Sequence, residues 1–82
     1  MELKNIKIRK PLILVETDKI ITKGTSNNFS AKVIKTAEDS AYKVGDTIYT
    51  EANYFIQFVI DDFTFENTYL VNEGTVKGEI ND

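Results

Sequence analysis

The chain has 82 residues, 41% hydrophobic and 28% charged, with a formal net charge of −3; this is the composition of one folded domain and excludes both a disordered tail and a two-module enzyme. Histidine and cysteine are absent, which excludes disulfides, Ser-His and Cys-His nucleophile pairs, and zinc sites built on imidazole or thiolate. A chain this short buries only about 60% of its unfolded surface, so a partner subunit would add stability.

In chain order, Ile6-Lys7-Ile8-Arg9 alternates apolar with basic and reads as a strand with one wet face. Pro11 then imposes an edge or a kink before the buried strand Leu12-Ile13-Leu14-Val15. That apolar run is far short of the roughly 20 residues of a membrane helix. It follows Lys4, Lys7, Arg9 and Lys10 as a signal sequence would, yet it is too short for one and lacks a small-residue cleavage site. A cytoplasmic protein with no membrane partner is expected. Residues 17–30, with Gly24 and Thr25-Ser26-Asn27-Asn28, form a long loop whose apolar pair is Ile20-Ile21.

Ala31 to Lys35 is the next strand, Glu38-Asp39-Ser40 a turn, and Val44-Gly45-Asp46 the entry to the strand Thr47–Thr50. Tyr54, Ile56, Phe58 and Ile60 fall on one face of the best alternating segment, which is the expected core face. Asp61-Asp62 is a tight turn into Phe63-Thr64-Phe65, Asn67 is a further break before Tyr69-Leu70-Val71, and a last strand spans Thr75 to Ile80. Short strands with regular turn signals predict a small all-β barrel or sandwich of antiparallel strands, a single domain over residues 1–82.

The chemistry is sparse. Asp61-Asp62 with Glu66 is more simply a hairpin turn than an acid/base pair or a hard-cation site. The four glycines, 24, 45, 74 and 78, are too scattered to cradle a phosphate. No catalytic, cofactor-binding or metal-ligating residue is therefore assigned. Residues 1–43 carry a balance of +4 and residues 44–82 one of −7. The two halves attract each other within one fold or across a head-to-tail contact between copies. Net acidity and the end of the basic stretch at Lys43 argue against nucleic acid, although the basic N-terminus and Tyr54, Phe55 and Phe58 make an oligonucleotide-binding barrel a third hypothesis.

Ala31-Lys32-Val33-Ile34 followed by Tyr42-Lys43-Val44-Gly45-Asp46-Thr47-Ile48-Tyr49 resembles the core of the GroES-like co-chaperonins. The segments on either side keep that family's order. Ile8 to Val15 resembles its opening isoleucine-arginine-proline-leucine strand and Phe58 to Asp62 its hairpin, while Tyr69 to Ile80 resembles its terminal strand, acidic turn and final apolar strand. The resemblance implies a GroES-like barrel whose subunits form a ring of about seven. That ring caps a chaperonin to assist protein folding, with no cofactor or enzymatic activity of its own. It further implies docking through residues 17–30, a shortened mobile loop in which Ile20, Ile21 and Thr22 stand where the family has an aliphatic tripeptide. Losing one leucine-sized group weakens such docking by about one to two powers of ten per subunit.

The subunit interface implied is Ile6 and Ile8 of one copy against Val76 and Ile80 of the next. The shortened roof segment Lys35–Ala41 matches some phage relatives, and abundant Ile, Asn and Lys suit an AT-rich genome, so a phage origin and the host cytoplasm are expected. The alternative keeps the fold without chaperonin binding, as a structural assembly protein such as a virion component.

Overall fold

A computed structural model describes residues 6–18, 28–51 and 55–80. The domain is all-β, as expected. Its strands are β1 (Leu12–Glu16), β2 (Asn28–Thr36), β3 (Thr47–Glu51), β4 (Ile56–Ile60), β5 (Phe63–Asn72) and β6 (Gly78–Ile80), with a 3-10 turn at Glu73–Thr75. They form one six-stranded sheet in the order β4-β5-β1-β2-β3-β6, and every neighbouring pair is antiparallel.

The short connections force this sheet to roll. Strands β3 and β4 stand four strand spacings apart, about 19 Å if the sheet were flat. From Glu51 to Ile56 the chain reaches at most about 18 Å, and the link from β5 to β6 loses further reach to its 3-10 turn. The sheet therefore curls around one core of Ile13, Val15, Ala31, Val33, Ile48, Phe55 and Val71, with Phe29, Tyr42, Tyr69 and Val76 packed against it. Phe55 and Val76, both from the links, plug this core, and Phe55 meets Tyr69 edge-on at 5.5 Å. Among the described residues no ladder joins β4 to β6, so the sheet rolls without closing.

Several local expectations change. The alternation of Ile6 to Arg9 does not make a strand: the edges of β1, the strand it leads into, are taken by β2 and β5, and these residues join neither β4 nor β6. Strand β2 starts at Asn28 rather than Ala31, since β3 offers a ladder as far back as the pair Asn28↔Glu51 despite the polar composition. The last strand is confined to Gly78–Ile80 after the 3-10 turn.

The largest correction concerns β4. Phe58 is buried at 6% exposure, but Ile56 is 65% exposed, and Phe55 enters the core instead. Tyr54 lies outside the described residues. The cause is register: Ile56 pairs with Leu70 and Gln57 with Tyr69, so Ile56 lies on the face away from the core cluster and Phe55 on the face of Tyr69. Beyond these pairs β5 bulges: between Gln57↔Tyr69 and Val59↔Thr64, two steps on β4 answer five on β5. Asn67 sits in the bulge at φ 61, and its carbonyl accepts the Thr17 N–H at 3.0 Å. The tip of the hairpin is thereby carried beyond the core.

Turn chemistry follows expectation. Asp61 and Asp62, at φ 49 and 65, make the two-residue loop that closes Ile60↔Phe63. Gly45 takes φ 101, a conformation that suits glycine, while Asp46 Oδ2 accepts the Lys43 N–H at 2.9 Å. This turn reaches back to β2, where Gly45 N–H donates to Val33 O and Val33 N–H to Asp46 O, both at 2.8 Å.

Gly78 is paired with Tyr49, whose ring lies where a Cβ would sit, at 2.7 Å. Gly78→Ala should cost about 1–2 kcal/mol by displacing that ring. In a Tyr49→Val background the same change should be neutral or stabilising, because alanine then only removes glycine's excess unfolded-state freedom. Urea unfolding of the four chains of this cycle checks it.

Candidate assembly surfaces

Ile20, Ile21 and Thr22, expected from the resemblance to dock, lie outside the described residues, but the roots of their loop are defined. On one side Thr17 is buried and hydrogen-bonded to the β5 bulge; on the other, β2 begins in register with β3. An open polar cleft of about 330 Å³ lies at these roots, between Asp18, Ser30, Lys32 and Thr47.

The four interface candidates separate. Ile6 and Ile8 are half-buried along a cleft of about 360 Å³ with Lys35, Thr36 and Glu38, and Lys35 Nζ donates to the Ile6 carbonyl. Val76 is packed against the core, so it stabilises the subunit. Ile80 alone sits on an open strand, at 42% exposure.

Charge around β6 is organised by the turn that precedes it. Asn72 caps the 3-10 turn, its Oδ1 accepting Gly74 N–H at 2.8 Å, and Pro11 O accepts Glu73 N–H at 2.7 Å. The Ser40 hydroxyl donates to Glu73 Oε1, which ties the 37–40 turn to the end of β5. Tyr42 lies beside this pair, and burial, then the charges of Glu79 and Glu73, push its phenol above the usual tyrosine range. On the basic side, Lys10 meets Asp39 at 3.9 Å with both groups exposed, a pair worth little.

Reasoning from sequence missed the β4–β5 hairpin as a surface. Ile56, Val59 and Phe63 are 65%, 50% and 53% exposed. Phe63 ends an aromatic row in which Phe65 meets Phe58 at a tilt at 5.3 Å and Phe63 edge-on at 4.9 Å. The signal was present as the uncharged run from Ala52 to Ile60, which carries none of the lysines or prolines that usually guard a strand at a sheet edge.

Among the described residues no group of His, Cys, Asp and Glu is placed to hold a metal ion, and every buried side-chain polar atom has a partner. No described helix is long and apolar enough to cross a membrane. Fold and surface together define an all-β module in which, among the described residues, the outermost strands β4 and β6 each pair on one side only. No family model matches the sequence, and no curated protein matches it.

Raising the pH tests the surroundings of Tyr42. Its folded pKa lies above its unfolded value, so its contribution to stability is fully present below about pH 10 and is lost as the pH climbs through the folded pKa. Tyr42→Phe should flatten the alkaline loss of stability, measured by urea unfolding between pH 9 and 11.

Proposed function

We propose that this chain is a non-enzymatic ring subunit of the co-chaperonin type, which docks on a chaperonin and closes a folding chamber while the partner handles ATP. The observation that supports it best is the rolled sheet with two open edges. A domain this small, whose outermost strands each pair on one side only among the described residues, has backbone groups that a neighbouring copy can satisfy, and a heterologous contact between copies closes into a ring when its rotation permits. The order of segments shared with GroES-like proteins supports the chaperonin side, with Ile20 and Ile21 in the connection between β1 and β2 as the docking group. The position of Ile80 on the β6 edge suits a contact with the N-terminal segment of the next copy, where Lys7, Arg9 and Lys10 face the acidic surroundings set by Glu73 and Glu79.

The alternative is a structural assembly protein, such as a virion component, built on the same edges without the docking step.

Capture on an immobilised chaperonin of the host in the presence of ATP tests the choice. The intact chain should be retained, and Ile21→Asp should abolish retention while leaving the circular dichroism spectrum unchanged, since it places a charge where an apolar groove receives an aliphatic group. An intact chain that forms a ring by sedimentation velocity but is never captured favours the structural-assembly alternative.

A further inference from the structure

We infer that the β4 edge is a two-fold self-association surface, at which β4 of a second copy of this chain pairs antiparallel and joins the two sheets. The inference is independent of the ring reading, which uses the opposite edge and the N-terminal segment.

The two ends of the sheet differ in how they are guarded. Strand β6 is three residues long with Glu79 at its centre. Pairing two β6 strands antiparallel about that centre sets Glu79 against the Glu79 of the other copy, and like charges directly opposite are destabilising. Strand β4 is five residues long, uncharged, free of proline, and pairs on one side only among the described residues. Among the described residues, three of the five large exposed hydrophobic ones, Ile56, Val59 and Phe63, lie on it or on its hairpin partner. An edge of this kind calls for an occupant that offers an extended backbone, apolar side chains and no charge.

A second β4 meets all three requirements. With the two-fold axis through Phe58, Ile56 faces Ile60 of the other copy and Gln57 faces Val59, so no acid or base enters the ladder. The nearest acids, Asp61 of each copy, then stand six residues apart along the strands, about 20 Å. That exceeds the Debye length of about 8 Å at physiological salt, so their repulsion is screened. A parallel pairing would instead set Asp61-Asp62 beside its own copy. Pairing β4 with β6 of another copy offers three positions only and puts Glu79 into the apolar ladder. The area of a single strand pair falls below the roughly 1,200 Å² of a standard interface, so the contact is weak, with a dissociation constant of about 10–100 μM.

Because Gln57 and Val59 face each other twice across the axis, reciprocal charges test both contact and register. Gln57→Lys/Val59→Lys and Gln57→Glu/Val59→Glu are compared with the intact chain by sedimentation velocity from 5 to 500 μM, after circular dichroism has shown each to be folded. The intact chain should show a species of twice the mass that appears with concentration, and each variant alone should lack it, with at least a tenfold weaker association. An equimolar mixture of the two variants should restore it. If a double variant does not fold, Gln57→Lys and Gln57→Glu alone, at an exposed position, serve in its place. Identical mass distributions for intact chain and variants, or no doubling of the intact chain at 500 μM, would overturn the inference, and failure of the mixture to restore the species would overturn the register.

Discussion

Strand β1 is the constraint on which the rest of the structure depends. Its ladder is full on both sides, with β2 along one edge and β5 along the other, and Ile13, Leu14 and Val15 are all fully buried. Adjacent residues on a strand point to opposite faces, so burying three in succession requires cover on both. The core cluster covers Ile13 and Val15. Leu14 lies on the opposite face, where the cross-strand register aligns it with Leu70 of β5 and, through Leu70, with Ile56 of β4. Five residues thus commit four strands to one sheet before any loop is considered.

The edges follow from the same economy of chain. A six-stranded sheet whose links between β3 and β4 and between β5 and β6 are this short must roll, and among the described residues its two outermost strands have a neighbour on one side only. Natural sheets either guard such strands or use them. Strand β6 is short and acidic, and Ser40, Glu73 and Tyr42 brace the chain that leads into it. Strand β4 carries neither charge nor proline, and its register on β5 leaves Ile56 and Val59 exposed.

What could be read in the sequence is what local chemistry decides. Asp61-Asp62 and Lys43 to Asp46 are turns because short polar side chains and one glycine tolerate positive φ, and both turns form where their residues require. Which face of β4 meets the core was not legible, because it is set by the register of β4 on β5, where Ile56 pairs with Leu70 and Gln57 with Tyr69. Ile6 to Arg9 likewise has the period of a strand and no strand: alternation gives a side chain its face, but a strand also needs a partner edge for its backbone hydrogen bonds, and the edges beside β1 are taken by β2 and β5. Val76 was legible as an apolar residue near the end of the chain, but its place in the core depends on the 3-10 turn that directs it inward. Ile80 keeps its expected place on an edge because β3 takes only one side of β6.

The hydrogen bond from Thr17 to Asn67 joins the two surfaces that matter most to any assembled state. It fixes the root of the connection carrying Ile20 and Ile21 to the bulge that sets the angle of the β4–β5 hairpin. Coupling between sites requires an element whose arrangement both can bias. The bulge at Asn67, a residue at positive φ whose carbonyl holds the loop root, is the element through which the two surfaces would communicate. Under the proposed pairing and docking, contact at β4 would steady the hairpin from one side and capture of the loop would steady Thr17 from the other, so each event would favour the geometry that the other uses. In the proposed ring, contacts weak in one subunit would add across many, and a loop root held in one orientation would raise the effective concentration of every docking group at once.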